Sequence, residues 1–220
     1  ASVYDPYWSV QPIVIVTAFA YKYGLNSFGI LLVSVICFWG IRLTANWAYT
    51  FKNLTQQDWR YTKVHEMSGK FYPLANFFGI HLVPTIIVLL CVNPAATAIH
   101  DGYTLTPLSI VFLAVSFFAV ILQGTADIQM HLFHKNGGQG FIRTGVWKKG
   151  RHPNYLAEIL MWWGIALAVI CSRPAEFGVL LEGATLNTFL FLIVSIPLAE
   201  EHQARKPGYE EYKKETRLFI

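Results

Sequence analysis

An all-α fold, a polytopic bundle of membrane-spanning helices, is predicted here by three observations. The first is a set of apolar stretches, about 8–24, 26–51, 71–95, 105–133, 153–172 and 178–199, each near the roughly 20 mostly apolar residues that a helix needs to cross a bilayer. The second is composition: 54% of residues are hydrophobic and the mean hydropathy is +0.41, where soluble domains hold about 45–50% apolar residues. The third is the placement of positive charge. Lys52, Arg60, Lys63 and Lys70 lie between the second and third stretches, and Lys135, Arg143, Lys148, Lys149 and Arg151 between the fourth and fifth. Arg205, Lys206, Lys213, Lys214 and Arg217 follow the sixth, while the alternate connections hold only Lys22 and Arg173. Lys and Arg are retained on the cytoplasmic side of a membrane, so the three basic segments and the C-terminus are expected there.

Six visible spans joined by loops, with no polar linker between them, make one domain over 1–220. The composition excludes an ordinary soluble enzyme, and no repeat, low-complexity tract or nucleic-acid-binding pattern is present. Cys37, Cys91 and Cys171 fall inside apolar segments, without metal-ligand spacing, and read as small buried hydrophobes.

The first span begins near Trp8, with Asp5 at its cytoplasmic mouth. An acid there either caps the helix or has a catalytic role. In the second span Arg42 stands within an apolar run, where an Arg at the helix centre costs about 2.5–3.5 kcal/mol to insert. It either snorkels to the surface or, with Asn46 four residues on, forms a polar patch turned into the bundle. The loop Leu54 to Gly69, containing Asp58-Trp-Arg-Tyr61, is amphipathic and is expected to lie in the interface as a lid. Asn76, His81 and Pro84 follow in the third span, where the proline predicts a kink.

At the end of the fourth span Gln123, Asp127, His131 and His134 are spaced four, four and three, which keeps them on one side of a helix. Such a stripe must face protein or water, not lipid. The following loop, Lys135-Asn-Gly-Gly-Gln-Gly-Phe141-Ile-Arg143-Thr-Gly-Val-Trp-Lys148-Lys149-Gly-Arg151, mixes glycines with cations and suits a phosphate; anionic lipid headgroups are the alternative. It leads into Arg151-His152-Pro153-Asn154-Tyr155-Leu-Ala-Glu158. Proline is tolerated at the first position of a helix, so Pro153 is predicted to start the fifth span, with Asn154 and Glu158 one turn apart on one face. An ionisable group at that depth is a functional candidate by default. The sixth span ends in Glu200-Glu201-His202, and the aromatic, basic tail from Tyr209 is expected to fold back beneath the bundle.

Arg-His-Pro-Asn-Tyr with Glu158, the later Glu200-Glu201-His202 and the closing Tyr209-Glu-Glu-Tyr212 resemble the steroid 5-alpha-reductase family, in its bacterial branch. Part of the pattern is shared with isoprenylcysteine and phospholipid methyltransferases. The resemblance implies an integral protein of the bacterial inner membrane that uses NADPH to reduce the C=C bond of a lipophilic enone such as a 3-oxo-Δ4 steroid. It also implies a further N-terminal helix ahead of this chain, since a similar Ser-Val-x-Asp-x-x-Trp follows a first helix in such sequences.

Carried over residue by residue, the implied cofactor positions are Arg42, Gln123 (for Asn), Asp127, His134 (for Arg, beside Lys135), Phe141 and Arg143, Arg151, and Asn154, Tyr155, Glu158 and Trp162. Glu201, His202 and Arg205 fall where the family's late contacts lie. The family's carbonyl-polarising Glu and Tyr have Asp5 and Trp39 as nearest equivalents, Trp39 preceding Arg42 by three. The implied reaction is hydride addition to the β-carbon of the enone, with a hydrogen bond to the carbonyl stabilising the developing enolate. Buried Asp5 must be protonated to donate that bond. The rival readings are an S-adenosylmethionine-dependent membrane methyltransferase, whose cofactor carries no phosphate for five loop cations to meet, and a non-enzymatic scaffold, which needs no intramembrane Asp127 and Glu158.

Overall fold

The computed structural model describes residues 5–51, 53 and 58–219. Residues 54–57 of the expected lid lie outside them. Helix α1 (Tyr7–Tyr23) turns at Gly24 into α2 (Ser27–Thr50). Asn26 caps α2 by accepting from the Gly29 amide at 2.9 Å, and its own amide donates to the Tyr103 carbonyl at 2.8 Å, so the capping residue also fastens the hairpin to a neighbouring loop.

Next come α3 (Trp59–Ser68), a short 3₁₀ turn, α4 (Tyr72–Ala75), a π-helical segment Asn76–Leu82 and α5 (Val83–His100), one helical run from Trp59 to His100. Thr106 caps α6 (Pro107–Lys135). Helix α7 (Pro153–Ile170) starts at the expected proline, and α8 (Phe177–Phe189) passes through a second π segment, Leu190–Ser195, into α9 (Ile196–Ala204). The tail forms α10 (Tyr209–Glu215). Among the described residues there is no strand, only a bridge between Gly150 and Arg217.

Five helical runs among the described residues are long and apolar enough to cross a membrane: Ser27–Thr50, Trp59–His100, Pro107–Lys135, Pro153–Ile170 and Pro174–Ala204. The chain is a polytopic membrane helix bundle. Helix α1, expected as a sixth span, has 17 residues, at the lower limit of about 17–25 for crossing, and packs on α2 and α5. The outer surface is apolar, with Ile41, Phe118 and Ile193 all more than 60% exposed, as a lipid-facing surface must be.

The core lies among α2, α5, α6 and α7, around Leu32, Trp39, Met161, Trp162 and Ile165. Helices α6 and α7 approach closely at Gly164, where any Cβ would collide with Ser116. The buried hydroxyls along this seam donate across it, Ser109 to the Ala168 carbonyl at 2.7 Å and Ser116 to the Met161 carbonyl at 2.9 Å. In an apolar interior a hydroxyl needs such a partner.

Both π segments have the same local cause. Pro84 and Pro197 lack an N–H and crowd the carbonyl four residues earlier, that of Ile80 in one case and of Ile193 in the other. Each of those carbonyls lies inside a π segment that ends two residues before its proline. The kink expected at Pro84 is therefore a widened turn. His81 Nδ1 meets the Asn76 carbonyl at 2.8 Å within it.

Loop 136–152 is packed against α6. Trp147 donates its indole N–H to the Ala126 carbonyl at 3.0 Å, and the Val146 amide donates to Gln129 at 3.0 Å. Gly137, Gly140 and Gly145 have φ of +76°, +75° and +59°, a region that side-chain-bearing residues rarely occupy, so these glycines shape the loop's turns. The tail folds back as expected. The Arg217 amide donates to the Lys149 carbonyl at 2.7 Å, and the Arg151 and His152 amides donate to the carbonyls of Arg217 and Leu218 at 3.0 and 3.2 Å.

Candidate active site

Glu158, one turn into α7, is 3% exposed and accepts four N–H bonds. Oε2 receives Trp39 Nε1 and Gln123 Nε2, both at 2.8 Å; Oε1 receives Trp162 Nε1 at 3.1 Å and Trp8 Nε1 at 3.3 Å. An indole N–H can only donate and an ionised carboxylate can only accept, so four neutral donors satisfy the buried acid as burial requires. The donors come from α1, α2, α6 and from α7 itself. The carboxylate thus ties the bundle together at one depth, and Trp39 and Trp162 pack edge to face across it with centroids 5.0 Å apart.

The network continues outward through Gln123. Its Oε1 accepts from Arg42 Nη2 at 2.7 Å, and Arg42 Nη1 pairs with Asp127 Oδ2 at 2.6 Å. Because the carbonyl end of Gln123 takes the guanidinium, its NH2 must point at Glu158. Asn46 Oδ1, on the same side of α2, lies 2.8 Å from His131 Nε2 and accepts when that ring nitrogen carries its hydrogen. Of the two readings open for Arg42, the structure has the inward one.

A cavity of about 600 Å³ opens beside this network. Its polar wall includes Asp5, Tyr61, Gln123, Asp127, Asn154 and Glu158, and its apolar wall includes Leu43, Trp47, Ile80, Phe191 and Val194. Across it from α7, the Tyr61 hydroxyl donates to Asp5 Oδ1. Burial raises the Asp5 carboxyl above its usual 3.8, and the Tyr61 hydrogen bond and the Arg60 charge offset this only in part. Helix α3 covers one side of the cavity. Asp58 caps α3 and pairs with Arg60 at 2.8 Å, while Trp59 stacks on His202 at 4.1 Å and Lys63 pairs with Glu201.

The α7 junction is held from below. Glu200 takes Arg151 Nε at 2.9 Å, Arg151 Nη2 at 3.2 Å and His152 Nε2 at 2.7 Å. Arg151 Nη1 also donates to the Thr216 carbonyl at 2.6 Å. Burial holds the His152 imidazole below its usual 6.5, with Glu200 opposing the shift. His152 stacks on Tyr155 at 5.2 Å, and Tyr155 packs on Phe191.

The structure therefore brings Asp5, Gln123, Asp127, Asn154, Tyr155 and Glu158 to one cavity. Arg42 and Trp162 stand behind them, in contact with Gln123, Asp127 and Glu158. Trp39, expected to face a substrate carbonyl, is fully buried and has its N–H on Glu158. His134 and Lys135 are exposed at the end of α6, because the helix outruns the bundle there. Phe141 stacks on Tyr212 at 4.6 Å. Arg143 pairs with Glu215 and lies over the Tyr212 ring, and Arg205 is near exposed Glu201 at 3.8 Å. Of the adjacent acids Glu200 and Glu201, only the first turns inward, since neighbours on a helix point about 100° apart.

Sequence reasoning missed Tyr61 and Trp8 as site residues. Trp8 looked like an interfacial aromatic, and nothing in the spacing joins Tyr61 to Asp5. It also passed over Glu200, for which the Arg-His pair at 151–152 was the available signal.

A family profile described as "Protein of unknown function (DUF1295)" matches residues 1–216. The chain belongs to this family. The chain is 25% identical over 217 residues to the uncharacterized protein C594.04c of Schizosaccharomyces pombe, covering 85% of this chain and 60% of that protein. The chain thus spans less than two thirds of the length of that relative. A shorter match, 35% identical over 69 residues, is to the Delta(14)-sterol reductase LBR of Gallus gallus and covers 31% of this chain and 10% of that protein. No solved structure matches the chain significantly. The DUF1295 match takes in the whole Glu158 network and Arg151, His152 and Glu200, and stops just before Arg217 and Leu218.

Proposed function

We propose that this chain is a membrane reductase that adds hydrogen across the C=C bond of a lipophilic enone, in the manner of the steroid 5-alpha-reductases it resembles, with NADPH as the reductant. The observation that carries the reading is the Tyr61–Asp5 hydrogen bond at the polar end of a largely apolar cavity. The partial similarity to a sterol reductase supports the same class.

Among the described residues the cavity wall carries Asp58, Asp127 and Glu158, with Arg60 paired to Asp58 and Arg42 behind the wall paired to Asp127, so Glu158 is the acid without a cationic partner. That charge balance suits the nicotinamide head, which becomes cationic on giving up hydride, and is unsuited to phosphates. Asn154, Gln123 and Asp127 would hold the head. Arg143, Lys135, Lys148 and Lys149, all exposed on the basic side, would hold the phosphates, Arg143 exchanging Glu215 for one of them. When bound, NADPH supplies the hydride that goes to the β-carbon of the enone.

As the C=C electron pair moves toward the carbonyl, protonated Asp5 and the Tyr61 hydroxyl, which would turn from Asp5 Oδ1 to the substrate, donate hydrogen bonds to its oxygen and stabilise the enolate; a proton from water completes the addition at the α-carbon. Prearranged donors aimed at a developing oxyanion are the strongest single catalytic device in such sites. Glu158 takes no part in proton transfer; it fixes Trp39, Trp162 and Gln123, and through Gln123 the Arg42–Asp127 pair. The basic loops, Arg143 through Arg151 and the tail, support a cytoplasmic orientation in a bacterial inner membrane.

One observation favours the methyltransferase reading. The same acid-lined cavity suits the sulfonium of S-adenosylmethionine, and Arg143 and Arg151 already have acidic partners. Thermal-shift titration of the purified protein with NADPH, NADH and S-adenosylmethionine separates the two. Stabilisation by S-adenosylmethionine alone overturns the reductase reading.

A further inference from the structure

The two π segments belong to different membrane-spanning runs, yet both line the same cavity. Gly79, Ile80 and nearby Pro84 come from one side, and Leu190, Phe191 and Val194 from the other. π geometry accounts for well under about 1% of residues in soluble proteins and gathers at functional sites. Here it takes seven residues of one run and six of another. Farther along, α5 and α8 are pinned together at Gly183, where any Cβ would strike the backbone of Leu90 and Cys91. Toward the site end, the cavity lies between the π segments instead. Their outer faces present Phe77, Phe78 and Ile193, each at least half exposed, so the same two segments face both the lipid and the cavity.

We propose that the paired π segments frame a lateral doorway through which a neutral, elongated, bilayer-dissolved molecule reaches the cavity, its one polar oxygen leading toward Asp5 and Tyr61. The identity of the reacting end rests on the reductase reading; the doorway itself rests on the cavity wall. A molecule coming through an apolar rim from hydrocarbon cannot carry a charge, because desolvating an unpaired ion costs far more than the contacts return. A phosphorylated cofactor must therefore use the basic, loop-covered end, and the two reactants meet from different mouths. Gly79 stands on the rim, exposed, with no atom within 4 Å of where a Cβ would sit and without a left-handed φ. A large side chain can be placed there without straining the helix.

The test uses purified protein in phosphatidylcholine liposomes and a diazirine-bearing 3-oxo-4-ene steroid. Photolabelling of wild-type protein should map to residues 76–84 and 190–198 and be competed by unlabelled steroid. Gly79→Trp, and independently Val194→Trp on the other side, should reduce labelling at least fivefold and raise the KM for the steroid. Phe77→Trp, on the lipid face of the same segment, should label like wild type. Labelling unaffected by both rim variants, or mapping elsewhere, overturns the doorway. Rim labelling without NADPH oxidation keeps the doorway and removes the reductase reading, whereas NADPH oxidation without rim labelling does the reverse.

Discussion

Trp39 donates its indole N–H to Glu158 at 2.8 Å, across 119 positions of sequence. That bond, with three others, makes the carboxylate the common acceptor for four helices, so the two oxygens of Glu158 are a structural requirement as well as a feature of the site.

Glu158→Gln keeps the size of the side chain but turns an NH2 toward donors that cannot accept. At least one buried indole or amide N–H loses its partner, which costs about 1–3 kcal/mol and more where a charged group was the partner. Thermal unfolding in detergent should register this loss, and nucleotide affinity should fall at least tenfold. Glu182→Gln, at an exposed position of α8, should stay within about 0.5 kcal/mol of wild type. Equal melting of the two variants would contradict the assigned network.

Tyr61→Phe removes one donor to the developing oxyanion, and kcat for an enone should drop by about 10²–10³, with nucleotide affinity retained. Asp5 must be protonated to serve as the second donor, and burial extends its protonated form above the usual range. The wild-type rate should therefore decline as pH rises through the raised Asp5 pKa. Asp5→Asn, neutral at every pH, should lose that limb of the profile; an unchanged limb would assign the ionisation elsewhere.

Arg143 and Arg151 should separate on mutation. Both members of the Arg143–Glu215 pair are about half exposed, and such pairs contribute about 0–1 kcal/mol. Arg143→Ala should leave the melting temperature unchanged and narrow the preference for NADPH over NADH, measured by titration. Arg151 has 8% side-chain exposure and holds Glu200 and the tail, so Arg151→Ala should melt well below wild type. If it is Arg143→Ala that unfolds the protein, the loop has been misassigned.

His152 sets a pH dependence of stability. Its folded pKa lies below the unfolded 6.5 because burial disfavours the charged ring. Between those two values the unfolded chain binds the proton that the folded chain refuses, so stability rises with pH across the window. Its contribution should be complete above about pH 6.5 and be lost on acidification toward the folded pKa. His152→Gln should flatten the slope between pH 5 and 7, read as unfolding midpoints in a pH series.

The basic loops predict a cytoplasmic tail. A reporter fused after Ile220 should be active when it requires the cytoplasm and silent when it requires the periplasm; the opposite pattern would invert the bundle.

Features carried by local chemistry were readable before any coordinates. Pro153 starts its helix because the missing N–H is harmless there. Gln123, Asp127 and His131 share a face by spacing alone, and Glu158 stood out as an acid in an apolar run. Contacts between distant segments were not readable in the same way. No periodicity relates Tyr61 to Asp5 or Trp8 to Glu158, and adjacent Glu200 and Glu201 become distinct only when the rotation of α9 is known. The loop cations advertised an anion, but the sequence does not say that Glu215 and Glu200 are the anions within reach. Pro84 and Pro197 marked disturbed helices without indicating that both disturbances line one cavity.

The pairing of residues 149–152 with residues 217 and 218 has a consequence for biogenesis. A polytopic chain enters the bilayer span by span, yet the segment that opens α7 takes its backbone partners from residues that follow every described candidate span in the chain. The α7 junction can therefore close only once the chain beyond the last described span is available, a step separable in time from the insertion of α7 itself.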